Sequence, residues 1–143
     1  MADSESAEMY LLRTAELAES SPDAVVPVPA LAEQLGISPV STNQMCRKLQ
    51  DQGLMRYRPY RGVTLTEAGQ AVADRVIRRR RLWEVFLVDQ LGLSLPEAED
   101  AACRLEHVTS TELAERLAAF LKQPQSCPHQ KPIPPAARTA ESR

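Results

Sequence analysis

Cys103, Glu106 and His107 stand three and four residues apart, so in a helix their side chains leave from one face. Thiolate, carboxylate and imidazole together make a donor set for a divalent transition metal. Ala98, Ala101, Ala102 and Leu105 beside them form the apolar stripe on which that helix would pack. The triplet by itself also fits a plainer arrangement, a surface Glu and His next to a small buried Cys, because such spacings arise by chance in Ala-rich helices. Of the remaining cysteines, Cys46 falls on an apolar helical stripe. Cys127 pairs with His129 in what reads as an extended arm, a poor two-residue ligand set. An odd count of 3 cysteines argues against a disulfide framework.

A second chemistry is carried by cations. Between Arg47 and Arg81 the chain places Arg47, Lys48, Arg56, Arg58, Arg61, Arg75, Arg78, Arg79, Arg80 and Arg81 against only Asp51, Glu67 and Asp74. The formal net charge of −2 is low for a duplex-DNA binder, which displaces counterions with a basic surface, but the average hides this local excess. No apolar run reaches the ~18 residues of a membrane span, and the acidic amino terminus lacks the basic-then-apolar order of a signal peptide. A cytoplasmic protein with no membrane partner is expected.

The elements that must position these groups read as mainly α, since aromatics are sparse and Leu, Ala and Arg are frequent. A helix free of Gly and Pro is expected from about Ser6 to Ser20, after which Pro22, Pro27 and Pro29 mark a linker. A short helix over Ala30 to Leu35 ends at Gly36. Ser38-Pro39 then supplies an N-cap and a first-turn proline for a second helix reaching about Gln52. Two helices separated by so tight a turn make a helix-turn-helix. The second helix has two faces: Thr42, Met45, Cys46 and Leu49 form an apolar stripe, while Val40, Asn43, Gln44, Arg47 and Lys48 point the other way. With Ser38, Pro39 and Ser41 at its start, the outer face suits a DNA major groove, the amides meeting base edges and the cations phosphates. Leu54 to Leu65 reads as a β-hairpin turning at Pro59 to Gly62. This wing alternates Arg56, Arg58 and Arg61 with Tyr57 and Tyr60, a set suited to phosphates and the minor groove.

A long helix from Thr66 to about Leu91 follows. Its second half is apolar nearly all round, and Trp83, Phe86, Leu87 and Leu91 are expected at a homodimer interface. Ser94 and Ser110 cap two more helices, from about Leu95 to His107 and on to about Lys122. Pro124, Pro128, Pro132, Pro134 and Pro135 then predict a flexible, extended arm. The expected organisation is a winged helix-turn-helix DNA-binding domain over 1–72, an α-helical metal-binding and dimerisation domain over 73–123, and the tail over 124–143.

Glu8 to Leu11, Ser38 to Leu49, Tyr57 to Thr66 and Ala102 to His107 occur in the order and spacing of the diphtheria toxin repressor family, which the chain resembles from about Ser6 to Leu121. The resemblance implies a metal-activated repressor, not an enzyme, that binds an inverted-repeat operator of metal-uptake genes as a homodimer. It implies that Met9 joins Cys103, Glu106 and His107 as a thioether ligand, and that this is a short form without the SH3-like domain of larger members. The chain departs from the family at its second, ancillary metal site. There Arg80 stands where iron-type members carry a histidine, Glu84 is kept, and Glu99 replaces another histidine. A guanidinium cannot ligate a cation. Arg80 is therefore expected either to bridge Glu84 and Glu99 in the metal's place or to belong to a solvated basic run, Arg78 to Arg81, near DNA phosphates.

The sulfur donors Met9 and Cys103 favour iron(II) and later metals over manganese. Manganese-type relatives carry aspartate, glutamate and a further glutamate at the positions of Met9, Cys103 and Leu12. Fe2+ is the expected metal, with Mn2+, Zn2+, Co2+ and Ni2+ as alternatives. The competing functions are a manganese-dependent regulator of the same family and a thiol- or small-ligand-responsive winged-helix regulator in which Cys103 is the sensing thiol. A metal hydrolase would need an open coordination position and a general base beyond the ligands, and the sequence offers no candidate for the base.

Overall fold

A computed structural model describes residues 4–21 and 23–136, so Pro22 and the 137–143 end of the expected tail lie outside the described residues. The elements are α1 (Ser4–Glu19), α2 (Val28–Leu35), α3 (Pro39–Asp51), β1 (Met55–Arg58), β2 (Gly62–Leu65), α4 (Glu67–Asp89), α5 (Leu95–Leu105) and α6 (Thr111–Phe120). They fall into two compact units, one up to Ala73 and one from Asp74, with α4 contributing to both. Among the described residues no helix is long and apolar enough to cross a membrane.

The first unit is a helix-turn-helix with a two-stranded wing. Leu11, Leu12, Val26, Leu31, Leu49, Met55 and Val63 are among its fully buried apolar side chains. Gly36 ends α2 in the left-handed region at φ +67, where a residue without a Cβ is unstrained. Ser38 restarts the chain two residues later, its hydroxyl accepting the Ser41 N–H at 3.1 Å. α3 buries Thr42, Cys46 and Leu49 and leaves Val40, Ser41, Gln44, Arg47 and Lys48 exposed, the two-faced division its spacing predicts.

In the wing, β1 and β2 pair antiparallel from Met55 opposite Leu65 to Arg58 opposite Gly62. Pro59 and Tyr60 make the corner, closed by the Arg61 N–H donating to the Arg58 carbonyl at 3.0 Å, with Tyr60 at φ +62. The hairpin is fixed to the segment before α2 by reciprocal 2.9 Å bonds between the backbones of Val26 and Val63. This approach leaves no room beside Gly62, where a Cβ would lie 2.1 Å from the Val26 carbonyl oxygen and where φ is +145.

In the second unit, α4 is covered on two sides. Leu82 and Val85 pack with Ala114, Leu117, Ala118 and Ile133, while Leu87 packs with Ala98 and Ala102. The apolar girth of α4 is thus largely satisfied by its own unit, which corrects the expected interface: Leu87 is a core residue here. Trp83 and Phe86 are partly buried, and Trp83 donates its indole N–H to Thr109 Oγ1 at 2.8 Å. Leu91 remains 57% exposed.

The expected flexible arm is also corrected over 124–136. The Cys127 N–H donates to the Lys131 carbonyl and the Ile133 N–H to the Gln125 carbonyl, both at 2.9 Å, while Ser126 bridges Pro132. Ile133 is buried in the α4–α6 core. The prolines exclude helix, as expected, but here they brace a compact loop.

Two outcomes follow from this packing. Gly62→Ala is expected to cost at least ~2 kcal/mol, because both φ and the Val26 approach oppose it, and to lower Tm by roughly 6–10 °C in a circular-dichroism melt. An unchanged Tm would show that the wing is not held to Val26. Cys46 is fully buried, and burial pushes its thiol up to about 11, so it is expected to resist maleimide at neutral pH until the protein is unfolded. Mapping rapid native labelling to Cys46 would contradict this.

Candidate metal centre and DNA-binding surface

One stretch of α4 carries Arg78, Arg80, Arg81 and Glu84, all buried. Charges removed from water need partners, and each arginine has one within the unit. Arg78 grips the Glu115 carboxylate through Nε at 3.0 Å and Nη2 at 2.8 Å, and gives Nη1 to the Pro134 carbonyl at 3.0 Å. Arg81, one turn along, donates to the Pro132 carbonyl. Arg80 faces the α5 end, its Nε 2.6 Å and Nη2 2.9 Å from the two oxygens of Glu106. The solvated basic run is therefore corrected: three of its four arginines are internal, and two of them anchor the proline loop.

Ser94 and Glu97 start α5 with a reciprocal capping box. The regular helix ends at Leu105, yet Glu106 keeps helical angles at φ −58 and ψ −32, so Cys103 and Glu106 stay on one face. Glu106 is 0% exposed. Its Oε1 lies 3.2 Å from His107 Nε2, and the Arg80 Nη2 that it accepts from is also 3.5 Å from Cys103 Sγ. Arg80 thus links the Glu106 carboxylate to the Cys103 thiol, and the His107 imidazole meets the same carboxylate; the chemistry of this donor set fits a divalent transition metal. Met9 is half-buried on α1, in the first unit.

The expected Arg80 bridge between Glu84 and Glu99 is replaced by another side chain. His129, from the proline loop, places Nδ1 3.9 Å from Glu84 Oε1 and Nε2 3.3 Å from Glu99 Oε2. Cys127 completes a second constellation: donor atoms of Glu84, Cys127 and His129 all lie within 4.8 Å of one another. Burial pushes the Glu84 carboxyl above its ordinary range, a rise opposed by the charges of His129, Arg80 and Arg81 and reinforced by Glu99. In sequence alone Cys127 and His129 lie on an unanchored arm, which makes a poor site. The usable signal was a thiol and an imidazole two residues apart among prolines, beside arginines that needed carbonyl partners.

On the DNA side, Gln44, Arg47 and Lys48 of α3 and Arg56 and Arg58 of the wing are exposed. Asn43 is half-buried instead, and its side-chain oxygen accepts a hydrogen bond from the Tyr57 hydroxyl, which also donates to the Asn43 carbonyl at 3.0 Å. The Arg47 guanidinium lies 5.3 Å from the centre of the Tyr57 ring. Asn43 thereby braces the wing against the helix it was expected to serve as a base reader. Arg61, also exposed, is paired with Asp23.

Comparison with known proteins agrees with this architecture. Residues 4–63 match the iron dependent repressor N-terminal DNA binding domain, and 66–135 match the iron dependent repressor metal binding and dimerisation domain. An HTH-type transcriptional regulator of Methanocaldococcus jannaschii is 40% identical over 93 residues, covering 65% of this chain and 74% of the relative. The iron-dependent repressor IdeR of Mycobacterium tuberculosis is 39% identical over 128 residues, 89% of this chain but 54% of its own length. A solved manganese-dependent transcriptional repressor in complex with manganese superposes with a TM-score of 0.81 at 39% identity, covering 91% of this chain and 59% of that one. The chain thus spans little more than half the length of the last two. The helix-turn-helix and wing fall almost wholly within the first matched range and α5 and α6 within the second, and the chain belongs to the iron-dependent repressor family.

Proposed function

We propose that this chain is an iron(II)-activated transcriptional repressor that binds an inverted-repeat operator as a homodimer and regulates metal uptake. The observation that carries the reading is the buried Glu106 carboxylate of the second unit, which meets the His107 imidazole and shares the Arg80 guanidinium with the Cys103 thiol. Met9, on α1 of the DNA-binding unit, is proposed as the fourth donor on the family resemblance. When bound, the metal supplies a multivalent charge that these donors share, and a donor contributed by the DNA-binding unit would link metal occupancy to operator affinity.

Ser38, Pro39 and Ser41 at the start of α3, with Gln44, Arg47 and Lys48 along it, form the proposed major-groove face, and Arg56, Arg58 and Arg61 the phosphate contacts of the wing. Leu91, Leu95, Val108, Leu113 and Phe120 leave apolar surface on the second unit that a second copy would cover. Trp83 and Phe86 back that surface from within. Iron is favoured over manganese because the donors include a thiol and a thioether. Manganese remains the alternative, since the solved manganese-dependent repressor and the iron-dependent IdeR are equally similar at 39% identity.

We further propose Glu84, Cys127 and His129 as a second metal site, on the strength of their 4.8 Å grouping. Thiol, imidazole and carboxylate suit zinc or iron(II).

Anaerobic mobility-shift titrations are expected to show operator binding that requires Fe(II), is abolished by chelator under reducing conditions, and is lost in His107→Ala. An unaltered metal response in that variant would refute the ligand assignment, and a response to Mn(II) but not Fe(II) would refute the choice of metal. Metal counting by mass spectrometry of the native protein loaded with Zn(II) is expected to give two ions per chain, falling to one in Cys127→Ala. One ion in both proteins would remove the second site.

A further inference from the structure

We propose that Arg80 is a resident cation of the Cys103–Glu106–His107 site: its guanidinium holds the carboxylate that a divalent metal needs, and it must yield Glu106 before that metal can bind. The inference rests on the metal-site reading above and concerns what opposes metal binding there.

A carboxylate with no solvent exposure is strongly unfavourable unless a positive group faces it. Here that group is Arg80, itself 8% exposed, which meets both Glu106 oxygens in a two-pronged, charge-assisted pair. The same Nη2 reaches Cys103 Sγ at 3.5 Å, so one side chain engages two of the expected donors. A histidine at this position could shed its proton and itself bind metal, but an arginine does neither. Metal and guanidinium therefore compete for one carboxylate, and occupancy requires a higher free-metal concentration than the donors alone would set.

The displaced side chain has an acceptor within its own helix. Glu84 lies one turn along α4 from Arg80, is buried, and already feels the Arg80 charge. Transfer of the guanidinium from Glu106 to Glu84 keeps every buried charge opposed. It also places Arg80 against a donor of the proposed second site, so filling the first site is expected to weaken the second.

The test uses the full chain under anaerobic conditions with Co(II) as the probe, in a Cys127→Ala background so that the thiolate-to-cobalt absorption band reports Cys103. Arg80→Met is expected to tighten Co(II) binding by about 10-fold or more, because a competing charge-assisted pair is gone. Arg80→Lys, which keeps the charge but not the fork, is expected to give a smaller gain and covers the case in which Arg80→Met does not fold. Both variants should melt lower than the parent without metal and gain more Tm from Co(II). In the parent, Co(II) replaced by diamagnetic Zn(II) should shift the Arg80 Nε–H resonance in arginine-labelled protein. Unchanged or weaker Co(II) affinity in the variants with the band intact, or a Zn(II)-saturated parent whose Arg80 resonance does not move, would overturn the exchange and leave Arg80 as a support for the ligands. Absence of the band in the parent, or its survival in Cys103→Ser, would instead overturn the metal-site reading and the exchange with it.

Discussion

Charge buried along one turn and a half of α4 constrains most of the second unit. Arg78, Arg80, Arg81 and Glu84 leave water when α4 packs, and groups of this kind persist in an interior only when paired. Their partners are dispersed: Glu115 on α6, Glu106 after α5, and the carbonyls of Pro132 and Pro134 in the loop beyond α6. Satisfying α4 therefore brings the α5 terminus, α6 and the proline loop together. Removing one member of a buried pair typically costs ~3–5 kcal/mol, comparable to the loss of a large core side chain. Ile133 adds apolar burial to the same anchorage.

Much of the local structure was legible because it depends on neighbours in sequence. Ser38-Pro39, Ser94 with Glu97, and Ser110 mark helix starts through bonds closed within three residues, and all three cap as expected. The two faces of α3 follow from a 3.6-residue period. What could not be read depends on partners distant in sequence. Arg78 to Arg81 looked solvated because a run of like charge usually is, and nothing nearby reveals Glu115 or Glu106, 37 and 26 residues away. The prolines of the tail rule out helix and strand but do not distinguish a free arm from a loop held by two arginines. Leu87 looked available to a second subunit because periodicity counts apolar faces without saying whose core each face meets.

Of the candidate site, the donor types at Cys103, Glu106 and His107 were apparent from spacing, whereas their surroundings were not. A bridge from Arg80 to Glu84 is one of two readings the sequence offers because i,i+4 proximity on α4 is visible there, whereas the approach of Glu106 from α5 is not. The place between Glu84 and Glu99 is taken by His129, which enters from the loop that the arginines hold. The two features are linked: the arginine contacts that anchor the loop are invisible in sequence, and without that anchor its cysteine and histidine have no third ligand.

The internal arginines also bear on how the DNA-binding surface must be used. With Arg78, Arg80 and Arg81 committed to carboxylates and carbonyls, the local excess of positive charge seen in the sequence is not a DNA-facing excess. The exposed cations of α3 and the wing are Arg47, Lys48, Arg56, Arg58 and Arg61, and Asp23 already offsets Arg61. Tight duplex binders neutralise roughly 6–10 phosphates, and one copy of this surface falls short of that. Two copies related by a two-fold axis would supply twice the contacts and read two half-sites of an inverted repeat. The proposed homodimer would thus serve electrostatics as well as cover the apolar surface around Leu91 and Phe120. In such a pair, any signal that orders the two copies would act on affinity through both half-sites at once, so a modest change would be multiplied in operator occupancy.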